Sequence, residues 1–226
     1  MPRYSNNYSM ASLNEGSLFK RTMLVVAGMN VLSFVGSSLT WDLPLTMGIL
    51  FGTFVLNMIL LFAMHLTVRS APQVSLALAF LFAGIEGATL GPVFNHYVDV
   101  LGPNLFSVVC LGTAGTIGIA GIVSTMLTFD YRKVESYLMV ILLGMIVVGV
   151  VTMFTGMTAG INILYSILGV VLFTAFFIVD FMRLRAENLE GLNGWGHVAI
   201  TATKLYLDQI NLLLYALRLA AALKKN

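Results

Sequence analysis

Charge is scarce in this sequence. Only 10% of the 226 residues are Asp, Glu, Lys or Arg, while 58% are hydrophobic. A soluble domain averages about 25% charged residues, so this chain cannot build a water-facing surface over its whole length. The composition therefore indicates an integral membrane protein.

Cysteine is almost absent. The single cysteine, Cys110, excludes an intramolecular disulfide and a cysteine-based metal cluster. It lies in the apolar run "LFSVVCLGTAG", where a small buried hydrophobe is expected. No nucleophile–base pair and no metal-binding triad is recognisable. We therefore expect neither enzymatic activity nor a cofactor, and no nucleic-acid partner.

Long apolar runs dominate what is present. A bilayer core needs roughly 20 apolar residues in a helix, and seven segments qualify: 22–40, 45–67, 74–95, 105–127, 136–155, 159–180 and 200–222. The connections are short, apart from 181–199. The pattern predicts an all-α membrane protein, with a polar cytoplasmic tail over 1–21 and a single seven-helix transmembrane domain over 22–226.

Basic residues alternate between connections, which orients the chain. They occupy the N-terminal tail and every second connection: Arg3, Lys20, Arg21, Arg69, Arg132, Lys133, Arg183 and Arg185. This predicts a cytoplasmic N-terminus and an external C-terminus. Arg218, Lys224 and Lys225 disagree, and the alternative is a last segment that does not fully cross. Short loops favour a bacterial inner membrane over an internal eukaryotic membrane, which stays the alternative.

Glycines are spaced as in close helix contacts. They lie at 112, 115, 118 and 121, and as the pairs 48/52 and 87/91. Gly91 precedes Pro92, which should weaken or kink span three. We read these as structural features.

Span seven carries a polar stripe. Lys204, Asp208, Asn211, Tyr215 and Arg218 are separated by 4, 3, 4 and 3 residues, which places them on one helix face. Such a helix should be surrounded by other helices, with its stripe facing a polar interior. The alternative is a purely structural hydrogen-bonded seam.

Two aspartates lie where charge is expensive. Asp180 is near the cytoplasmic end of span six, and Asp208 is about two turns into span seven. If these helices are antiparallel neighbours, repulsion between the carboxylates at about 4 Å is roughly 4 kcal/mol. The pair would then share a proton and, once deprotonated, offer calcium hard oxygen ligands. Alternatively, Asp180 faces the cytoplasm and pairs with Arg183 or Lys204.

Other polar residues join the candidate site. Glu86, near the middle of span three, is a relay or cation ligand, or is protonated and bonded to Thr89 or a neighbouring helix. Lys204, Asn211 and Tyr215 are further pore-lining or relay candidates. Arg69 is either a counter-ion for the inner acids or a topology-setting charge.

Three motifs carry a resemblance to a known family. "KLYLDQINLLLYALRL" in span seven, "ATLGPVF" in span three and "LGTAG" in span four are similar to motifs of the Bax-inhibitor-one family, also called the transmembrane Bax inhibitor motif family. The resemblance covers essentially the whole chain. It implies six helices around a central seventh.

The resemblance also implies an activity, a pH-sensitive calcium leak. Asp180 and Asp208 match the paired aspartates of the family, and Arg69 matches the arginine that latches onto the span-six aspartate. One departure is local: Phe181 and Met182 follow Asp180, where the family usually has Thr and Gln.

Three functions are therefore compared. The first is a passive leak of cations, with calcium as the transported ion, gated by the two aspartates. The second is a non-conducting regulator that binds a membrane protease or a cell-death factor. The third is a proton-coupled exchanger that uses Glu86, Asp180 and Asp208. In each, the partners include membrane lipid, and the first and third also handle calcium and protons.

Overall fold

Seven α-helices account for nearly all of the described chain. The computed structural model describes residues 5–44 and 46–224, with side chains from residue 18 onward. The helices are α1 (Ser5–Leu39), α2 (Met47–Thr67), α3 (Pro72–Leu101), α4 (Pro103–Met126), α5 (Tyr131–Thr155), α6 (Ala159–Leu189) and α7 (Trp195–Lys224). The described residues form no strand, and the predicted all-α class is confirmed. Arg3 and Lys225, used above for orientation, lie outside these residues.

Six of these helices are long and apolar enough to cross a bilayer. They are the part of α1 from Leu18 to Leu39 and the whole of α2 to α6, and each overlaps a predicted span. The chain is therefore an integral membrane protein. Helix α7 is also 30 residues long, but its charged stripe lowers its hydropathy, and it is not among the six.

Helix α6 is longer than predicted. It continues past Asp180 to Leu189, and the non-helical part of the following connection is only 190–194. The expectation of a polar connection over 181–199 was wrong because the Arg, Ala, Glu and Leu residues there are good helix formers. The helix ends before Gly191, whose φ of +78° favours glycine. Asp180 is therefore in the body of a helix.

The described chain forms two compact units. Unit 1 contains the residues up to His96 together with Leu184–Tyr206, and unit 2 contains Tyr97–Arg183 and the residues from Leu207 onward. Helix α7 contributes its first part to unit 1 and the remainder to unit 2.

Within unit 1, α1 packs closely on α3 through small residues. A Cβ atom added to Gly36 would collide with the backbone of α3, and one added to Gly87 or Gly91 would collide with the backbone of Ser33 or Ser37 on α1. The close contact predicted from the pair 87/91 is confirmed. Only glycine allows this approach of two helix backbones.

Other predicted glycine contacts were wrong. A Cβ atom added at position 48, 52, 112, 115 or 118 would meet no atom of the described chain within 4 Å, whereas Gly121 lies against the ring of Phe181. Only 11% of the most apolar 18-residue stretch of α4 is buried. Small residues make close contact possible without requiring it, so spacing alone cannot identify the faces that pack.

Candidate functional site

The two aspartates are buried in the same unit. Asp180 on α6 is 3% exposed and Asp208 on α7 is 7% exposed, and both belong to unit 2. Asp180 is therefore not an exposed residue, while its pairing with Arg183 or Lys204 stays a prediction. A buried carboxyl group in a membrane helix must be protonated, paired or solvated by polar groups, so these two positions keep their place as the centre of the candidate site.

Buried aromatic residues flank Asp180 in the sequence. Phe176, Phe177 and Phe181 are all buried, and the rings of Phe177 and Phe181 lie 6.0 Å apart. Phe181 also contacts Gly121 on α4. The departure from the family motif at position 181 therefore gives α6 an apolar ring that packs on α4.

Two members of the predicted stripe make local structural contacts. The side-chain amide of Asn211 donates to the carbonyl of Leu207 in its own helix, at 2.9 Å. The hydroxyl of Tyr215 donates to that of Tyr165, at 3.2 Å, and its ring stacks on Phe173 with centroids 5.7 Å apart. This part of the stripe has the character of a hydrogen-bonded seam.

Arg218 continues that seam. Its Nε donates to Asn162 Oδ1 at 2.6 Å, its guanidinium carbon lies 4.8 Å from the Tyr165 ring centroid, and another nitrogen contacts the sulfur of Met157 at 2.9 Å. These partners are neutral. The stripe spacing indicated Arg218, but nothing in the sequence indicated Asn162 or Tyr165, which lie on α6.

The positively charged candidates lie in unit 1. Arg69 is exposed in the turn after α2, and Lys204 is half-buried on α7. The latch between Arg69 and Asp180 remains a prediction. Near the same turn, a side chain at Gly196 would collide with the carbonyl of Val68, so the start of α7 packs closely against the end of α2.

Glu86 has a partner that the sequence did not identify. Its Oε2 accepts a hydrogen bond from Asn57 Nδ2 on α2. Thr89, considered above as the partner, instead donates to the carbonyl of Ile85 at 3.1 Å. Of the two structural options for Glu86, the neighbouring helix is therefore the right one. Asn57 was detectable as the only amide in the apolar run "FVLNMILL".

A second polar contact lies in the same unit. Tyr206 on α7 is fully buried, and its hydroxyl donates to Ser33 Oγ on α1 at 2.9 Å. Its ring meets Phe82 of α3 edge-on, with centroids 6.2 Å apart. Tyr206 thus links α7 to α1 and α3 by one hydrogen bond and one aromatic contact.

An apolar, largely open cavity of about 310 Å³ lies between α4, α6 and α7. Its walls include Val109, Val170 and Leu219, and no member of the polar stripe lines it. A cavity of this character suits hydrocarbon better than a cation. It is therefore not the polar interior that the stripe predicted.

A preformed metal site is not found among the described residues. They contain no group of three or more His, Cys, Asp or Glu side chains placed to hold a metal ion. Calcium takes six to eight oxygen ligands, which include carbonyl groups and water. Two aspartates would supply only part of such a shell, and the calcium assignment to Asp180 and Asp208 remains a prediction.

The chain matches known proteins along most of its length. A family profile described as "Inhibitor of apoptosis-promoting Bax1" matches residues 16–225. An uncharacterized protein of Borreliella burgdorferi is 36% identical over 148 residues, which is 63% of this chain and 61% of that protein. Another, from Deinococcus radiodurans, is 29% identical over 180 residues, 78% of this chain and 73% of its own length. Because this profile covers most of the chain, the chain belongs to the Inhibitor of apoptosis-promoting Bax1 family, the Bax-inhibitor-one family that its motifs resemble.

Proposed function

We propose that this protein is a pH-sensitive cation leak in which calcium is the transported ion and Asp180 and Asp208 form the gate. The observation that carries the proposal is the burial of both carboxyl side chains in one unit of a membrane protein. An ionisable group within a membrane helix is costly, and such groups mark ion or proton pathways. Membership of the family supports the same activity by resemblance.

The gating follows from the charge that the two aspartates carry. When they share a proton, the pair holds one negative charge and little repulsion separates the helices. Loss of that proton leaves two like charges in a medium of low dielectric, which favours a state in which they are apart and solvated. The separated carboxylates then offer oxygen ligands to a passing divalent cation. The leak should therefore increase as pH rises.

The cellular setting is part of the proposal. We place the protein in a bacterial inner membrane with its N-terminus in the cytoplasm. The connections that hold 40–46, 102 and 156–158 contain no Lys or Arg, while the others are flanked by basic residues, in agreement with the positive-inside rule. The two relatives described above are bacterial.

Calcium flux into liposomes tests the proposal. Purified protein would be reconstituted, and entry of calcium measured from mildly acidic to mildly alkaline pH for the wild type, Asp180→Asn and Asp208→Asn. Asp99→Asn, which changes an exposed acid on α3, is the matched control. We expect flux that rises with pH in the wild type and the control, and that loses this dependence in both aspartate variants.

Other results distinguish the competing functions. Liposomes that admit no more calcium than empty ones at any pH would overturn the leak and favour a regulator that acts by binding another membrane protein. Calcium movement that requires an opposing proton gradient would instead indicate an exchanger. If the flux keeps its pH dependence in both aspartate variants, Asp180 and Asp208 do not form the gate.

A further inference from the structure

Glu86 and Asn57 form a hydrogen-bonded polar pair between α2 and α3 in unit 1. Asn57 is 6% exposed, Glu86 is half-buried, and the amide nitrogen of Asn57 donates to one carboxyl oxygen of Glu86. The described residues provide Glu86 with no ion pair to Lys, Arg or His. Both side chains lie in helices long and apolar enough to cross the membrane.

The amide oxygen of Asn57, Oδ1, is buried and accepts no hydrogen bond from any described residue. A buried acceptor left unsatisfied costs about 1–3 kcal/mol. An ionised Glu86 cannot correct this, since a carboxylate only accepts hydrogen bonds. It would instead bring a negative charge close to an unsatisfied carbonyl oxygen.

The titratable neighbour on α7 does not provide the missing donor. Tyr206 interacts electrostatically with Glu86, but its single hydroxyl hydrogen is donated to Ser33 Oγ. A proton on Glu86 would supply a donor from the side chain that already accepts from Asn57. A carboxylic acid and a primary amide match each other, because each then presents one donor and one acceptor on the same edge.

We propose that Glu86 is a proton-binding site, and that the bound proton completes a two-hydrogen-bond acid–amide pair with Asn57. Asn57 Nδ2 donates to Glu86 Oε2, and the protonated Oε1 of Glu86 donates to Asn57 Oδ1. The proton comes from hydronium in the aqueous phase, which is left as water, and no other covalent bond is formed or broken. The pair is electrically neutral and joins α2 to α3. Asp180 and Asp208 take no part in this proposal, which does not depend on whether the protein conducts ions.

The neutral pair explains how a membrane helix accommodates Glu86. Without the proton, a net charge lies between two apolar helices and one buried oxygen is unsatisfied. With the proton, the charge is neutralised and the Asn57 oxygen gains a donor. The role assigned to Glu86 is therefore to hold a proton and bind α2 to α3, rather than to act as a cation ligand.

Infrared spectroscopy of the full chain in lipid bilayers tests this site. Glutamate labelled with ¹³C at the side-chain carboxyl moves the carboxylic-acid C=O band of a protonated glutamic acid away from the bands of Asp180 and Asp208. We expect a labelled band at neutral pH that is lost in Glu86→Gln. Asn57→Leu should keep this band but shift it, because the acid loses its amide partner.

The result that would overturn the proposal is equally direct. If labelled wild-type protein shows only ionised carboxylate bands at neutral pH, Glu86 carries no proton. A labelled acid band that keeps its position in Asn57→Leu would show that the protonated Glu86 is not hydrogen-bonded to Asn57. The wild-type measurement decides the first point even if a variant fails to fold. Because the experiment measures the infrared band, its result does not depend on whether the protein conducts calcium.

Discussion

Thr40 donates a hydrogen bond of 2.7 Å to the carbonyl oxygen of Ala88. In an uninterrupted helix that carbonyl would accept from the amide of residue 92, but residue 92 is proline and has no amide hydrogen. The hydroxyl of Thr40, just after α1, therefore replaces the bond that Pro92 removes. Helix α3 continues through Pro92 to Leu101, and the predicted weakening or kink of this span stays a prediction.

Replacing Thr40 should therefore leave the carbonyl oxygen of Ala88 without a hydrogen-bond donor. Thr40→Val keeps the shape but removes the donor, so the free energy of unfolding should fall by about 1–3 kcal/mol. Unfolding by denaturing detergent in mixed micelles, followed by circular dichroism, measures the loss. In a Pro92→Ala background the amide of residue 92 returns, and the same Thr40→Val change should cost much less. Equal costs in the two backgrounds would show that the two groups do not share this carbonyl.

Gly169 provides a second prediction, in unit 2. A Cβ atom at this position would overlap the ring of Tyr215, which is fixed by its contacts with Tyr165 and Phe173. Gly169→Ala should therefore destabilise the protein by about 1–3 kcal/mol, the usual cost of overpacking. Gly118→Ala on α4 is the matched control, because no atom lies within 4 Å of its Cβ position.

The pair of variants separates crowding from helix propensity. Alanine favours a helix over glycine by roughly 0.5–1 kcal/mol, so Gly118→Ala should be neutral or stabilising when measured by the same detergent unfolding. A loss of stability in Gly118→Ala as large as that in Gly169→Ala would mean that the Tyr215 ring is not the cause.

The helices and the polar stripe could be predicted from sequence because both are local patterns. An apolar run of bilayer length predicts a helix wherever it occurs, and the spacing of Asp208 and Arg218 follows from helix geometry alone. The burial of Asp180 was also within reach, since aromatic residues flank it in the chain. These features need no knowledge of which helices are neighbours.

Pairings between helices could not be predicted in the same way. Asn57 and Glu86 are 29 residues apart, and the sequence does not tell which face of α2 meets α3. The end of α6 was missed for another reason: charged residues were taken as the end of the helix, whereas the helix continues until a glycine with positive φ. The boundary of an apolar run therefore does not give the end of the helix, which here is set by the backbone at Gly191.

The contact between Arg218 and Asn162 leads to the last prediction. The guanidinium donates to a neutral amide oxygen at 2.6 Å, where an aspartate would provide a charge-assisted acceptor of nearly the same shape. Asn162→Asp should therefore be tolerated or stabilising when Arg218 is present, and destabilising in Arg218→Met, where the new carboxylate has no such partner. Hydrogen bonds to charged groups contribute about 1.5–3 kcal/mol, so the double-mutant cycle should give a favourable coupling of that size. Detergent unfolding of the four proteins measures it. A coupling indistinguishable from zero would show that the guanidinium does not engage position 162, and the seam along this part of α7 would then rest on Tyr165 and Tyr215 alone.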